Sequence, residues 1–320
     1  MSFRAALEDA AASGRPLLLD AAMGTELAVR GADTSPPLWS ARALRDDPDL
    51  VRTIHAENVA AGADVLTLDS FRLHERNVRR ERREAPSPDE RGPDAGRLIA
   101  RAAALARRAA ADAPAGKRIW IAGSLAPLED CYRPDLVPSR DDLDREHREM
   151  AEALAAAGCD LILVETMNAV RELVAAVRAA EATGLPVVAS MVTNGDGRLL
   201  SGEPVEEAAR SLLALPGTPA AFGVNCVPAR LVGRDLDRLR EAAPGVPLCV
   251  YANTGRALDE ARGLYTEPVA PEAYAVLAGG WLDAGRVALV GSCCGTTASH
   301  TRALRRLLDE RAEGGPSQGK

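Results

Sequence analysis

The stretch Ala157-Gly158-Cys159-Asp160-Leu161-Ile162-Leu163-Val164-Glu165-Thr166-Met167 contains the repeating unit of this chain. A helical pattern over residues 140–157 stops at a glycine, the residue that ends helices in the left-handed conformation without a Cβ penalty. Four aliphatic residues follow, too few for a helix and suited to a strand covered on both faces. A carboxylate then closes the run, and a new amphipathic stretch opens at Ala169. The same glycine punctuation precedes the next apolar run at Ala61-Gly62-Ala63-Asp64 and at Ala182-Thr183-Gly184. Helix and strand in such alternation are the pattern of a parallel sheet.

Working outward, strands are predicted at 17–20, 64–69, 118–123, 160–165, 186–192, 220–225, 247–253 and 286–291. Helices are predicted at 48–61, 98–111, 140–157, 169–182, 205–215, 231–242, 271–282 and 298–310. Asp46 or Asp47 before Pro48, and Ser139 before an acidic first turn, suit helix N-caps. Eight strands each followed by a helix is the count of a single (β/α)8 TIM barrel. A doubly wound sheet is the rival, but no strand is followed by Gly-x-Gly-x-x-Gly or a Walker lysine. The expectation is therefore an α/β chain with one catalytic barrel domain over residues 1–310. Residues 79–97, crowded with Arg, Glu, Pro and Gly, read as a mobile insertion, and 311–320 as a disordered tail.

Composition narrows the chemistry. The 320 residues are 47% hydrophobic, enough for a large core, and carry a net charge of −7. That acidity, with only 3% aromatic residues, speaks against nucleic acid as a partner. Lys117 and Lys320 are the sole lysines, and neither is placed for Schiff-base chemistry. No apolar run is long enough for a membrane span. Met1 to Arg15 contains Glu8 and Asp9 and no apolar core, so no signal peptide is read and a cytoplasmic location is expected. In that compartment clustered cysteines point to metal binding or catalysis. Nothing in the sequence speaks to oligomeric state.

In a parallel barrel the active site lies at the C-terminal ends of the strands. Those ends deliver Asp20, Asp69-Ser70-Phe71-Arg72, Ser124, Glu165-Thr166, Asn225-Cys226, Tyr251-Ala252-Asn253 and Ser292-Cys293-Cys294-Gly295. Adjacent cysteines inside a strand would point to opposite faces, but Gly295 lets the chain turn and aim both at one place. Cys226 faces them from two strands away. Three thiols with a fourth position open is the arrangement of a catalytic zinc site; the alternative is three buried cysteines packing as small apolar residues. Cys159 and Cys249 read as structural, and Cys131 as a loop thiol near the mouth. Asp20 and Glu165 each end an apolar run, where a carboxylate is costly unless it meets a cation, as a substrate ammonium would supply. Capping or a salt bridge to Arg72 is the alternative. His55, His147 and His300 lie in helical patterns and His74 is a weak mouth candidate, so a Ser-His-Asp or Cys-His hydrolase is not indicated. Acid–base hydrolysis by Asp20 and Glu165 would leave the thiols without a role.

The runs 19–27, Gly223-Val224-Asn225-Cys226 and Gly291-Ser292-Cys293-Cys294-Gly295-Thr296-Thr297 resemble the homocysteine S-methyltransferase family, with further likeness at Ser70-Phe71-Arg72, Glu165-Thr166-Met167, 197–204 and 251–255. The resemblance covers roughly residues 15–310. It implies a barrel whose Cys226, Cys293 and Cys294 bind Zn2+, and acidic residues Asp20 and Glu165 holding homocysteine. It places Met23, Thr25, Ser70, Phe71 and Asn225 among the substrate-binding residues. The partners it implies are a small-molecule thiol acceptor and an onium methyl donor, with methionine as product and no catalytic side chain beyond the metal site.

Two departures bear on specificity. Ala21-Ala22 stand where the family is glycine-rich, which narrows the backbone's approach to the amino acid. Arg72 stands where betaine-using members carry an aromatic residue, and a cation there repels a quaternary ammonium. A sulfonium donor, S-methylmethionine or S-adenosylmethionine, is the expectation; no further domain suggests folate or cobalamin. Another thiol or selenol as acceptor, or a non-catalytic zinc or redox-thiol binding protein, are the competing readings.

Overall fold

A computed structural model describes residues 1–84, 92–255, 257–259, 264–266 and 268–313. Eight strands form one parallel sheet: β1 (Leu17–Leu18), β2 (Val65–Thr67), β3 (Trp120–Leu125), β4 (Leu161–Met167), β5 (Val187–Met191), β6 (Ala221–Pro228), β7 (Leu248–Asn253) and β10 (Val287–Ser292). Neighbours pair in sequence order, and β10 pairs with β1. The ring closes between β1 and β2, where Asp64 N donates to Leu18 O at 2.7 Å and Asp20 N to Val65 O at 3.0 Å. The structure is thus the (β/α)8 barrel that the alternation predicts. A short antiparallel hairpin, β8 (Ala257–Asp259) with β9 (Leu264–Thr266), follows β7.

The period-2 alternation of each strand sorts its side chains. Leu161 and Leu163 of β4 face the barrel interior, and Ile162 and Val164 face the outer helices. Glu165 therefore continues the interior file one layer higher, at the mouth. In β7, Cys249 and Tyr251 lie with the interior cluster, while Leu248, Val250 and Ala252 pack outward.

The outer ring is α4 (Pro48–Ala60), α6 (Ala95–Ala110), α7 (Arg140–Ala156), α8 (Val170–Glu181), α9 (Val205–Leu213), α10 (Val232–Ala242), α11 (Pro271–Asp283) and α12 (Ala298–Glu313). Asp47 caps α4 by accepting from Leu50 N, and Ser139 caps α7 by accepting from Asp142 N, as their positions predict. Three more helices lie outside the predicted eight: α1 (Phe3–Ser13), α2 (Met23–Val29) and α5 (Glu75–Glu84), with a short turn α3 (Ala43–Asp46). Helix α1 carries Phe3, Ala6, Leu7 and Ala10 on one face and joins the interior cluster with Leu19, Leu161 and Leu289. Its i, i+3, i+4, i+7 spacing buries one stripe and closes the bottom of the barrel. Residues 79–97, read from sequence as a mobile insertion, divide: 79–84 belong to α5, 95–97 open α6, and 85–91 lie outside the described residues. Of the tail read at 311–320, the first three residues continue α12 and the rest lie outside the description.

Candidate active site

A cavity of about 480 Å³ opens at the C-terminal ends of the strands. Its floor holds three thiols. Cys226 Sγ lies 3.5 Å from Cys294 Sγ, and Cys294 Sγ lies 3.9 Å from Cys293 Sγ. All three sulfurs fall within 4.8 Å of one another. Four ligands placed tetrahedrally at the zinc–sulfur distance of about 2.3 Å would stand roughly 3.8 Å apart, so the trio is already spaced to hold such an ion.

Local backbone explains how the thiols converge. Gly295 takes φ +80°, which turns the chain immediately after the cysteine pair. Cys293 N donates to Ala252 O at 2.7 Å, and Thr254 N to Cys294 O at 3.2 Å, tying the pair to the end of β7. Thr296 Oγ1 donates to Cys293 O at 2.6 Å and accepts from Ala22 N at 3.3 Å; Thr25 Oγ1 accepts from Gly295 N at 3.0 Å. Cys226 itself has φ +52°, a conformation that a non-glycine residue holds only when its surroundings impose it. Asn253 supplies part of that constraint, its Nδ2 donating to Cys226 O at 2.8 Å.

The thiols do not share charge evenly. Hydrogen bonding from Cys293 and Cys294, with the Tyr132 hydroxyl at 3.2 Å, holds the Cys226 thiol well below its ordinary value against the opposing effect of burial. Hydrogen bonding and charge from Cys226, together with burial, push Cys293 well above it. Cys294 is likewise raised, first by its bond to Cys226. The three thiols thus oppose one another's ionisation, and a divalent cation would permit all three to ionise.

Above the thiols stand Asp20 and Glu165, 4% and 7% exposed. Burial pushes Asp20 up to about 8, although Thr67 N and Oγ1 both donate to it at 2.9 Å and oppose the shift; the nearby Glu165 charge raises it further. Glu165 is pushed up to about 7, first by burial, against a hydrogen bond from Ser124 Oγ. Two buried carboxyls this reluctant to ionise have a deficit of positive charge between them. His55 lies behind Asp20, its Nδ1 3.9 Å from Oδ2; burial lowers it to about 4, and neither ring nitrogen has a partner.

Of the residues that the resemblance placed near substrate, Met23, Thr25, Phe71, Asp20 and Glu165 line the cavity. Ser70 and Asn225 lie just behind that lining. Ser70 is fully buried and donates to Ser124 O at 3.0 Å, bracing β2 against β3. Asn225 spends its amide on Thr166: Oδ1 accepts from Thr166 N and Nδ2 donates to Thr166 Oγ1, both at 2.8 Å, and Oδ1 also accepts from Ser190. Thr166 has φ +60°, severe for a β-branched residue. Asn225 thus sets the turns that follow Glu165 and carry Cys226.

Sequence reasoning missed Trp39. Its indole lies over Gly24, where an added Cβ would meet ring atoms at 2.3 Å, and edge-on to Phe71 with centroids 5.7 Å apart. Trp39, Phe71, Tyr132 and Tyr251 all line the cavity, so the low aromatic content understates what is gathered here. Ala21 and Ala22 also line it; each spends its backbone N–H, Ala21 on Asn58 and Ala22 on Thr296. Arg72 reaches the same wall, 5.7 Å from the Phe71 centroid, donating to Glu129 O at 2.8 Å. Cys131 is buried at the mouth, and that burial pushes its thiol well above the ordinary range, whereas Cys249 and Cys159 pack in the interior and beneath β3.

A parallel barrel with a thiol trio spaced to hold a metal ion and paired carboxylates at its mouth defines a class: barrel enzymes whose active site lies at the C-terminal ends of the strands. Comparison makes the class specific. Residues 17–308 match the homocysteine S-methyltransferase family, and the chain belongs to it. It is a methyltransferase. The homocysteine S-methyltransferase of Escherichia coli (strain K12) is 32% identical over 90% of this chain and 94% of its own. The selenocysteine methyltransferase of Astragalus bisulcatus is 27% identical, covering 92% and 93%. Among solved structures, the metallated form of the E. coli homocysteine methyltransferase MmuM superposes with a TM-score of 0.76 at 28% identity, covering 91% of this chain and 96% of that one. Among the described residues no helix is long and apolar enough to cross a membrane.

Proposed function

We propose that the protein transfers a methyl group from a sulfonium donor, S-methylmethionine or S-adenosylmethionine, to the thiolate of homocysteine, giving methionine, with zinc on Cys226, Cys293 and Cys294. The observation that carries this reading is the sulfur spacing of 3.5 and 3.9 Å at the floor of a cavity lined by two buried carboxyls. Zinc, when bound, supplies a deprotonated and oriented acceptor thiol near neutral pH. The remaining work belongs to the chain. Asp20 and Glu165 receive the acceptor's ammonium group, which supplies the cation that both lack. The Tyr132 hydroxyl, 3.2 Å from Cys226 Sγ, steadies charge on that ligand. Trp39 and Phe71 line the cavity, where their ring faces would attract the onium group. The methyl group leaves the donor sulfur with its bond pair remaining on that sulfur, and joins the acceptor, so no protein base has to take a proton during transfer.

The likeness to a selenocysteine methyltransferase supports a second acceptor. A selenolate is softer than a thiolate and suits the same site.

The test is Cys293→Ser beside wild type, with zinc measured by elemental analysis and methylated products by mass spectrometry over a panel of thiol and selenol acceptors. Loss of most of the zinc and at least a hundredfold loss of methyl transfer is expected. Full zinc content and full activity in the variant would sink the proposal, and zinc-loaded wild type that methylates nothing would favour a binding protein instead.

A further inference from the structure

Asp69 lines the same cavity and has no place in the chemistry above. It follows β2 and is 2% exposed. Ser40 Oγ donates to Oδ1 at 2.6 Å, while Oδ2 is buried without a hydrogen-bond partner. Burial pushes this carboxyl up to about 6, with only the Ser40 bond opposing. No arginine or lysine forms an ion pair with it among the described residues. A buried carboxylate with one unpartnered oxygen is costly, and a cation brought by a ligand into the cavity that Asp69 lines would offset that cost.

Its neighbours say which ligand. Ser40 follows Trp39 in sequence, and Ser70-Phe71 follow Asp69, so Asp69 sits on the aromatic wall rather than beside the ammonium pocket of Asp20. Arg72, three residues on, lines the cavity without a carboxylate partner among the described residues. A carboxylate and a guanidinium flanking an aromatic surface match a ligand with an ammonium, a carboxylate and an onium centre.

We infer that Asp69 is a specificity-determining residue for the methyl donor: its free oxygen receives the ammonium of an α-amino-acid sulfonium whose carboxylate is taken by Arg72. The inference rests on the methyl-transfer reading above and deepens it. A sulfonium lacking the ammonium gains nothing from Asp69, so the residue sorts donors by head group rather than by onium centre.

The experiment compares wild type with Asp69→Asn, an isosteric change that keeps the Ser40 contact. Donors are S-methylmethionine and dimethylsulfoniopropionate, which has the sulfonium and carboxylate but no amino group. Expected is at least a tenfold rise in KM for S-methylmethionine, less than a twofold change for dimethylsulfoniopropionate, and unchanged KM for homocysteine and zinc content. An equal change for both donors, or none, overturns the assignment. Binding of S-methylmethionine to zinc-loaded protein without acceptor, followed by quenching of tryptophan emission through Trp39, gives the same comparison without turnover. A tenfold weaker dissociation constant in Asp69→Asn upholds the role even in a wild type that methylates no thiol, an outcome that defeats the proposed function instead. Should Asp69→Asn fail to fold, Arg72→Gln serves: the same KM rise for S-methylmethionine is expected, and an unchanged KM overturns the head-group assignment.

Discussion

Asp20 is the residue whose chemistry is most exposed to pH. In the free protein its carboxyl is raised to about 8 by burial, and Glu165 beside it to about 7. Below these values the site is largely neutral and has little to offer an ammonium group. Affinity for the acceptor therefore rises as pH climbs from 6 to 8, and binding of the ammonium expels protons. Stability moves the other way. A carboxyl whose folded value lies above its unfolded value of 3.8 holds a proton in the native state that the unfolded chain has lost. Its contribution is fully present below that unfolded value and is lost as pH rises through about 8. Asp20→Asn removes Asp20's share of both dependences and leaves that of Glu165. Expected are a kcat/KM for the acceptor at least tenfold lower at pH 8, a shallower rise from pH 6, and a melting midpoint that falls less between pH 5 and 8 than in wild type. A variant whose two pH profiles overlay those of wild type would show that Asp20 neither binds the acceptor nor titrates in this range.

At the scale of elements, a tyrosine on the outer ring controls the cysteine-bearing strand. Tyr274 of α11 is fully buried, and its hydroxyl lies 2.9 Å from Gly291 O and 3.0 Å from both Ala252 N and O. It bridges the ends of β7 and β10 two residues before Cys293. Tyr274→Phe keeps the ring against Trp281 and His300 but strips these buried backbone groups of a partner, at a cost of about 1–3 kcal/mol. Denaturant unfolding is expected to show that loss together with weaker metal retention; unchanged stability and metal content would mean that the backbone groups find each other without it. The strands themselves were legible because a buried parallel strand is a short dense apolar run, set off from the amphipathic stretches on either side of it. The meeting of Cys226, Cys293 and Cys294 was legible because strand ends converge. What was not legible depends on contacts between distant segments. Trp39 belongs to an aperiodic stretch and reaches the mouth only by folding over Gly24. Asn225 looks like a ligand-binding amide until Thr166, 59 residues earlier, is seen to occupy it. Helix α1 did have a readable stripe, but its use as the barrel's lower plug is a property of the closed ring.

For the whole molecule, a metal held by the three thiols would be coupled to closure of the barrel. Cys226 lies two residues before the end of β6, the cysteine pair follows β10, and β7 lies between them with hydrogen bonds to both. A metal on the three sulfurs would thus cross-link β6 and β10 across β7 at the face opposite the plug helix. An unfolded chain separates Cys226 from Cys294 by 68 residues and offers no comparable site. A ligand that binds the native state alone stabilises it by about 4 kcal/mol at a thousandfold over its dissociation constant. For a domain of this size that corresponds to a rise in melting midpoint on the order of 5–10 °C. Chelated protein titrated with zinc should show such a rise in calorimetry, Cys226→Ser should show almost none, and magnesium should do nothing because thiolates discriminate against hard cations. A midpoint that ignores zinc in wild type, or rises equally in Cys226→Ser, would mean that the three thiols are not what joins the ends of β6 and β10.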